Sequence, residues 1–80
     1  MASLKDGKTA TSSGKVDGVN LKGISGVTYS TSSKVTVKNK TKDNYHYQLM
    51  TPTTDVDVKI ERGDYSVANN SGGTINYDWL

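Results

Sequence analysis

The sequence predicts an all-β fold, a small antiparallel β-sandwich or partly open barrel of about five to seven short strands. Apolar and polar residues alternate with period two in stretches such as Val35–Val37 and Val56–Ile60, and this alternation marks half-buried strands. From residue 34 onward no apolar stripe recurs every three or four residues, as a helix would require. Turn-forming residues separate the alternating stretches, which favours antiparallel connections over crossover helices. The 80 residues suffice for one small domain.

The N-terminal part of the chain differs in composition from the rest. Residues 1–17 are rich in Lys, Ser, Thr and Gly and contain few apolar residues, a composition that rarely offsets the entropy lost on ordering. We therefore expect a flexible polar arm over residues 1–17 and a single all-β domain over residues 18–80. The domain begins with two short apolar segments, 19–21 and 24–29, which glycines separate and which predict short strands.

The remaining strands follow from residue 34 onward. A polar loop ends the first of them, and the only proline, Pro52, follows the second. Glycines in the Arg62-Gly63 pair and in the loop of residues 69–73 mark the later turns. The predicted strands cover residues 34–38, 45–49 and 55–61, the segment around Tyr65 and Val67, and residues 74–79.

The turn at Arg62-Gly63 predicts a hairpin. A two-residue loop there places the apolar members of the facing pairs on one side of the sheet, as a correct register requires. The loop of residues 69–73 predicts a second hairpin for the same reason. The expected facing pairs are Ile60 with Tyr65, Val58 with Val67, Tyr65 with Tyr77, and Val67 with Ile75.

The tripeptide Arg62-Gly63-Asp64 resembles the motif that integrin ligands display on exposed loops. Its expected place at a hairpin tip suits such display, with a cation and a carboxylate held apart on a tight turn. The same three residues also satisfy ordinary turn chemistry. Arg62, Gly63 and Asp64 are therefore candidate ligand-binding residues, and a turn without a binding role is the alternative.

Other candidate binding residues lie on a polar loop and on one strand. Asn69 and Asn70 stand in a loop rich in Asn, Ser and Gly, and rigid scaffolds often carry their binding residues on such loops. Tyr45 and Tyr47 add aromatic area on the strand over residues 45–49. The principal hypothesis is a non-enzymatic binding module that presents polar loops to a protein or another cell-surface ligand.

A cluster of lysines forms a basic patch. With Tyr45 and His46 nearby it could contact phosphates, but the net charge of +2 is low and argues against a nucleic-acid partner. The patch could instead attract an anionic membrane surface, or keep an edge strand from pairing with other chains. It comprises Lys34, Lys38, Lys40 and Lys42.

The chain lacks the residue sets that catalysis and metal binding usually need. It has no Cys and a single histidine, His46, so neither a Cys-based metal site nor a Cys–His pair can form within one chain. Asp55, Asp57 and Glu61 share the polar face of one strand, and carboxylates without a cleft are more often solvated than catalytic. We therefore expect no enzymatic activity, no cofactor and no metal site.

Two further functions stay open. Small size, mild basicity and abundant Gly, Ser, Asn and Tyr suit a secreted, bacteriocin-like or toxin-like cationic effector that acts at a cell surface. The low hydrophobic content, 32% of the chain, suits a structural or assembly subunit whose core self-association completes. The sequence contains no run of about 18 apolar residues, the length that a membrane-spanning helix needs. We expect an extracellular or secreted location rather than a cytoplasmic one.

Overall fold

The computed structural model describes residues 2–23, 34–41, 46–49 and 55–80. This part of the chain contains eight β-strands and no helix. The strands are β1 (Ala2–Leu4), β2 (Thr9–Val16), β3 (Val19–Lys22), β4 (Lys34–Asn39), β5 (His46–Leu49), β6 (Asp55–Val58), β7 (Gly63–Asn70) and β8 (Ile75–Trp79).

The strands form two antiparallel sheets, which confirms the predicted β-sandwich. Sheet A has the order β1-β8-β3-β6, and sheet B has the order β2-β7-β4-β5. The strand pairs are nested: β1 pairs with β8, β2 with β7, β3 with β6 and β4 with β5. Folding one long hairpin into two layers produces this order of pairs. This is the eight-stranded jelly-roll topology. Residues 2–16, which composition assigned to a flexible arm, contribute two of the strands.

The hydrophobic core lies between the two sheets. Each sheet turns alternate residues inward, as in β3, where Val19 and Leu21 are fully buried. Tyr77 and Trp79 of β8 are half-buried against the core, with ring centroids 5.3 Å apart in an edge-on arrangement. The buried apolar residues are Leu4, Val19, Leu21, Val35, Val37, Val58, Tyr65, Val67 and Ile75.

The structure corrects the prediction of a flexible arm over residues 1–17. β1 and β2 are edge strands that pair with β8 and β7, and Leu4 is buried in the core at 6% exposure. Where the β2–β7 register shifts, the Ser12 hydroxyl accepts a hydrogen bond from Tyr65 N–H and donates one to the Gly14 carbonyl. The composition of residues 1–17 gave a wrong prediction because main-chain hydrogen bonds to a neighbouring strand can order an edge strand that has few apolar side chains.

The predicted hairpins between β6 and β7 and between β7 and β8 are also wrong, because both connections cross from one sheet to the other. Val58 pairs with Val19 in sheet A, whereas Val67 pairs with Val37 in sheet B. The two inner faces of a sandwich share one core, so apolar residues of different sheets face each other without being paired. Other observed partners are Leu4 for Ile75, Leu21 and Ala2 for Tyr77, and Asn39 for Tyr65.

Tyr65 fastens the connection from β6 to β7. Its side chain is fully buried, and its hydroxyl accepts hydrogen bonds of 2.9 Å from the N–H groups of Ile60 and Glu61. The same hydroxyl donates to the Glu61 carbonyl. Greek-key sandwiches use a similar tyrosine corner, in which a tyrosine early in a strand bonds the backbone a few residues upstream. Residues 59–62 therefore form a corner between the layers rather than a hairpin turn.

Candidate functional site

The segment Arg62-Gly63-Asp64 does not form the expected protruding hairpin tip. Gly63 is the buried first residue of β7 and has no positive φ. A Cβ at this position would lie 2.7 Å from side-chain oxygens of both Asn39 and Thr41. The N–H of Asp64 donates to Thr41 Oγ1 at 3.0 Å. Close packing, and not a turn conformation, therefore requires the glycine.

The two charged residues of this tripeptide have neighbours of opposite charge within the domain. Arg62 is exposed, and its Nη1 lies 2.9 Å from Oδ1 of Asp17 in the connection between β2 and β3. Asp64 is half-buried and stands opposite Lys15 of β2. Ligand binding by the tripeptide stays a prediction, now without the hairpin tip that suited display.

Asn69 is an interior residue, whereas its neighbour Asn70 is exposed. The Asn69 Nδ2 donates to the carbonyls of Leu4 and Gly73, at 2.8 and 2.7 Å. Its Oδ1 accepts from the N–H and the hydroxyl of Ser71, at 3.0 and 2.6 Å. The hydrogen-bonding capacity of this amide is thus used inside the fold. Of the two predicted loop residues, only Asn70 presents its side chain to solvent.

Asn39 makes a matching turn near the other end of β7. It is 1% exposed, its Nδ2 donates to the Glu61 carbonyl at 3.0 Å, and its Oδ1 accepts from Thr41 N–H at 3.0 Å. Like Asn69, it accepts a hydrogen bond from the N–H two residues on, which defines an Asx turn. Asn39 was not among the predicted site residues, although both it and Asn69 begin the pattern Asn-x-Ser/Thr at the end of a strand.

The structure places only some of the other predicted site residues. Lys38 in β4 and Lys40 just after it are exposed. Both belong to the predicted basic patch. Lys42 and Tyr45 lie outside the described residues, and for Lys34 in β4 and Tyr47 in β5 the structure describes the backbone only.

The outer face of sheet B carries lysines among small side chains. Lys38 alternates with buried residues of β4 and therefore points away from the core. It stands beside Ser66 of β7, and Lys15 of β2 stands opposite Asp64. Thr36 and Ser66 are only 8% and 7% exposed. We call this surface the basic face, and its described members are Lys15, Lys38, Asp64, Thr9, Thr11, Thr36, Ser66 and Ala68, with Lys40 adjoining.

The outer face of sheet A carries carboxylates around an asparagine. Asn20 alternates with buried residues of β3 and stands between Asp57 of β6 and Asp78 of β8. Its Nδ2 donates to Oδ1 of Asp55 at 2.5 Å and to Oδ1 of Asp57 at 2.6 Å. These bonds hold two carboxylates side by side. We call this surface the acidic face, and its members are Asn20, Asp55, Asp57, Asp78, Lys22, Asn76 and Ser3.

Sequence reasoning found only part of the acidic face. Asp55 and Asp57 are alternate residues of one strand and were recognised as such. Asp78 was missed because only the register between β3 and β8 brings it beside Asn20. The amide donor of Asn20, not its carbonyl, faces the carboxylates, and the described residues contain no group of three His, Cys, Asp or Glu side chains arranged to hold a metal ion.

The acidic and basic faces lie on opposite sides of the sandwich, because they are the outer surfaces of its two layers. The described residues enclose no pocket, and none of them belongs to a helix long and apolar enough to cross a membrane. Comparison of the chain with protein-family models, curated proteins and solved structures found no match. The two charged faces are the surfaces on which a function can be argued.

Proposed function

We propose that this chain is a non-enzymatic binding module that engages another macromolecule through the exposed outer faces of its sheets. The observation that carries this proposal is the separation of charge across the sandwich. The acidic face has three carboxylates, Asp55, Asp57 and Asp78, against one lysine, Lys22. The basic face, with the adjoining Lys40, has three lysines against one carboxylate, Asp64. Opposite potentials on opposite sides of a small domain orient a charged partner and speed its encounter.

Local geometry supports binding by these faces. Asn20 holds Asp55 and Asp57 by direct hydrogen bonds, so these side chains are partly ordered before any partner arrives. Ordering a mobile side chain on binding costs about 0.5–1.5 kcal/mol, and a held side chain avoids part of that cost. On the basic face, the side chains of Lys15 and Lys38 are exposed, whereas Thr36 and Ser66 are nearly buried.

The outer faces of the sheets are better candidates for binding than the loops that the sequence suggested. The Asn69 amide is turned into the interior, Gly63 is buried, and Arg62 pairs with Asp17. Asn70 is exposed and stays a candidate contact at the rim of the domain.

Amide chemical-shift mapping tests the proposal. The ¹⁵N-labelled protein is titrated at low salt with a short polyglutamate peptide and, separately, with a short polylysine peptide. Polyglutamate should shift amides around Lys38 and Ser66, and polylysine should shift those around Asn20 and Asp57. Shifts confined to the loop around Asn70 would favour the loops instead, and no shifts with either peptide would contradict the proposal.

A matched pair of lysine variants sharpens this experiment. Lys38→Gln should weaken the polyglutamate titration and leave the polylysine titration unchanged. Lys5→Gln removes the same charge from an exposed lysine in the connection between β1 and β2, and should change neither titration appreciably. Equal effects of the two variants would mean that net charge alone, and not the basic face, attracts the polyanion.

The cationic effector alternative would use the basic face alone. Lysines near an anionic bilayer each contribute about 1 kcal/mol of attraction, and Lys15, Lys38 and Lys40 are exposed. Vesicles that contain phosphatidylserine and an entrapped dye distinguish the two functions. Binding with dye release would favour the effector, whereas intact vesicles would favour the binding module.

A further inference from the structure

We infer that the macromolecule engaged by these faces is a second copy of this chain, with the acidic face of one copy against the basic face of the next. This inference rests on the proposed function above. It is carried by charge complementarity within one molecule. Asp55, Asp57 and Asp78 outnumber Lys22 on the acidic face. Lys15, Lys38 and the adjoining Lys40 outnumber Asp64 on the basic face.

The two faces also share a geometry. Both are outer surfaces of antiparallel sheets, in which neighbouring strands lie about 4.8 Å apart and same-side residues recur at about 6.8 Å along a strand. The charged side chains of both faces therefore stand on grids of similar spacing. Asp55 and Asp57 lie two residues apart on one strand, whereas Lys15 and Lys38 lie on the two strands that flank β7. The molecule measures 30 × 25 × 19 Å along its principal axes, and a specific interface buries about 800 Å² on each partner.

The position of the faces determines the kind of assembly. Each contact uses two different surfaces, which makes it heterologous, and such contacts produce rings or open stacks rather than a closed twofold dimer. The two surfaces lie on opposite sides of the sandwich, so successive copies continue in one direction. We therefore expect a stack whose length grows with protein concentration.

Two face variants test the stacking directly. Asp55→Asn with Asp57→Asn neutralises the acidic face and leaves the basic face intact. Lys15→Gln with Lys38→Gln does the reverse. Each variant alone should need at least tenfold higher concentration than the parent to reach the same average mass in sedimentation velocity. Mixed together, they should form a one-to-one dimer and nothing larger, since each supplies only one intact face.

The controls separate this contact from general charge effects. Lys5→Gln with Lys8→Gln removes two exposed lysines from the β1–β2 connection and should stack like the parent chain. Raising the salt from about 50 to 500 mM should shorten the stacks, because it screens exposed charges over a few ångströms. Near-ultraviolet circular dichroism and thermal unfolding establish that each variant keeps the parent fold.

The outcomes also separate this inference from the proposed function. A parent chain that stays monomeric at low salt at concentrations up to about 1 mM, the weakest Kd considered for binding, would overturn the stacking. If face-specific shifts with the charged peptides persist in that case, the binding module stands and its partner is another molecule. If those shifts are absent as well, both proposals fail. Larger assemblies in the mixture of the two variants would also contradict the inferred pairing of faces.

Discussion

The guanidinium of Arg62 binds the carboxylate of Asp17, with 2.9 Å between Nη1 and Oδ1. The two residues are 45 positions apart in sequence. Their ion pair joins the corner between β6 and β7 to the connection between β2 and β3, and both of these connections cross between the sheets. The arginine that a sequence motif assigned to ligand display therefore has an ionic partner on its own domain.

This ion pair should contribute little to stability. The side chains of Arg62 and Asp17 are 64% and 63% exposed, and exposed pairs of this kind contribute about 0.2–1 kcal/mol. Arg62→Ala should lower the free energy of unfolding by no more than that, as measured by urea denaturation. A coupling energy well above this range in a double-mutant cycle with Asp17→Ala would show that the contact is much stronger than its exposure implies.

Leu4→Ala should destabilise the protein strongly, although the residue lies in the segment that composition assigned to a flexible arm. Leu4 is 6% exposed and belongs to the core, and truncating a buried leucine costs about 2–5 kcal/mol. Ser3→Ala, at an exposed neighbour, is the control and should change stability by less than about 1 kcal/mol. Equal and negligible effects in urea denaturation would restore the flexible arm.

Tyr65→Phe should destabilise the corner between β6 and β7. The change keeps the buried ring but removes the hydroxyl that accepts from the N–H groups of Ile60 and Glu61. A buried polar group left without its partner costs about 1–3 kcal/mol. Faster hydrogen exchange at these two amides should accompany the loss of stability. Tyr77→Phe, at a half-buried ring of β8, is the control and should leave both amides unchanged.

Gly18→Ala should lower the stability of the protein, whereas Gly14→Ala should leave it unchanged or raise it slightly. A Cβ at Gly18 would lie 2.5 Å from the main-chain oxygen of Val58, whereas a Cβ at Gly14 meets nothing within 4 Å. Forcing an atom into packed structure typically costs about 1–3 kcal/mol. At an open position with an ordinary φ, replacing glycine by alanine is neutral or stabilises by up to about 1 kcal/mol. Thermal unfolding of the two variants measures the difference, and equal midpoints would contradict the close packing at Gly18.

The sequence predicted part of the candidate surfaces. Alternation placed Lys38 on the solvent side of one strand and Asp55 and Asp57 on the solvent side of another, and the structure confirms these positions. Alternation carries no information about which strands are neighbours. The placement of Asp78 beside Asn20, and of Lys15 opposite Asp64, therefore required the registers of β3 with β8 and of β2 with β7.

The sequence by itself determined the fold class and the inward side of most strands. A strand exposes alternate residues to opposite sides, so the burial of Val35, Val37, Val67 and Ile75 follows from local pattern. Only the tertiary structure decided which strands pair. Val58 and Val67 contribute to one core from different sheets. Both would also face inward if their two strands paired in a hairpin, so the alternation pattern does not distinguish the two arrangements. Strand pairing depends on main-chain hydrogen bonds between segments that are distant in sequence. The identity of the partner strand does not change the alternation of apolar and polar residues in either strand.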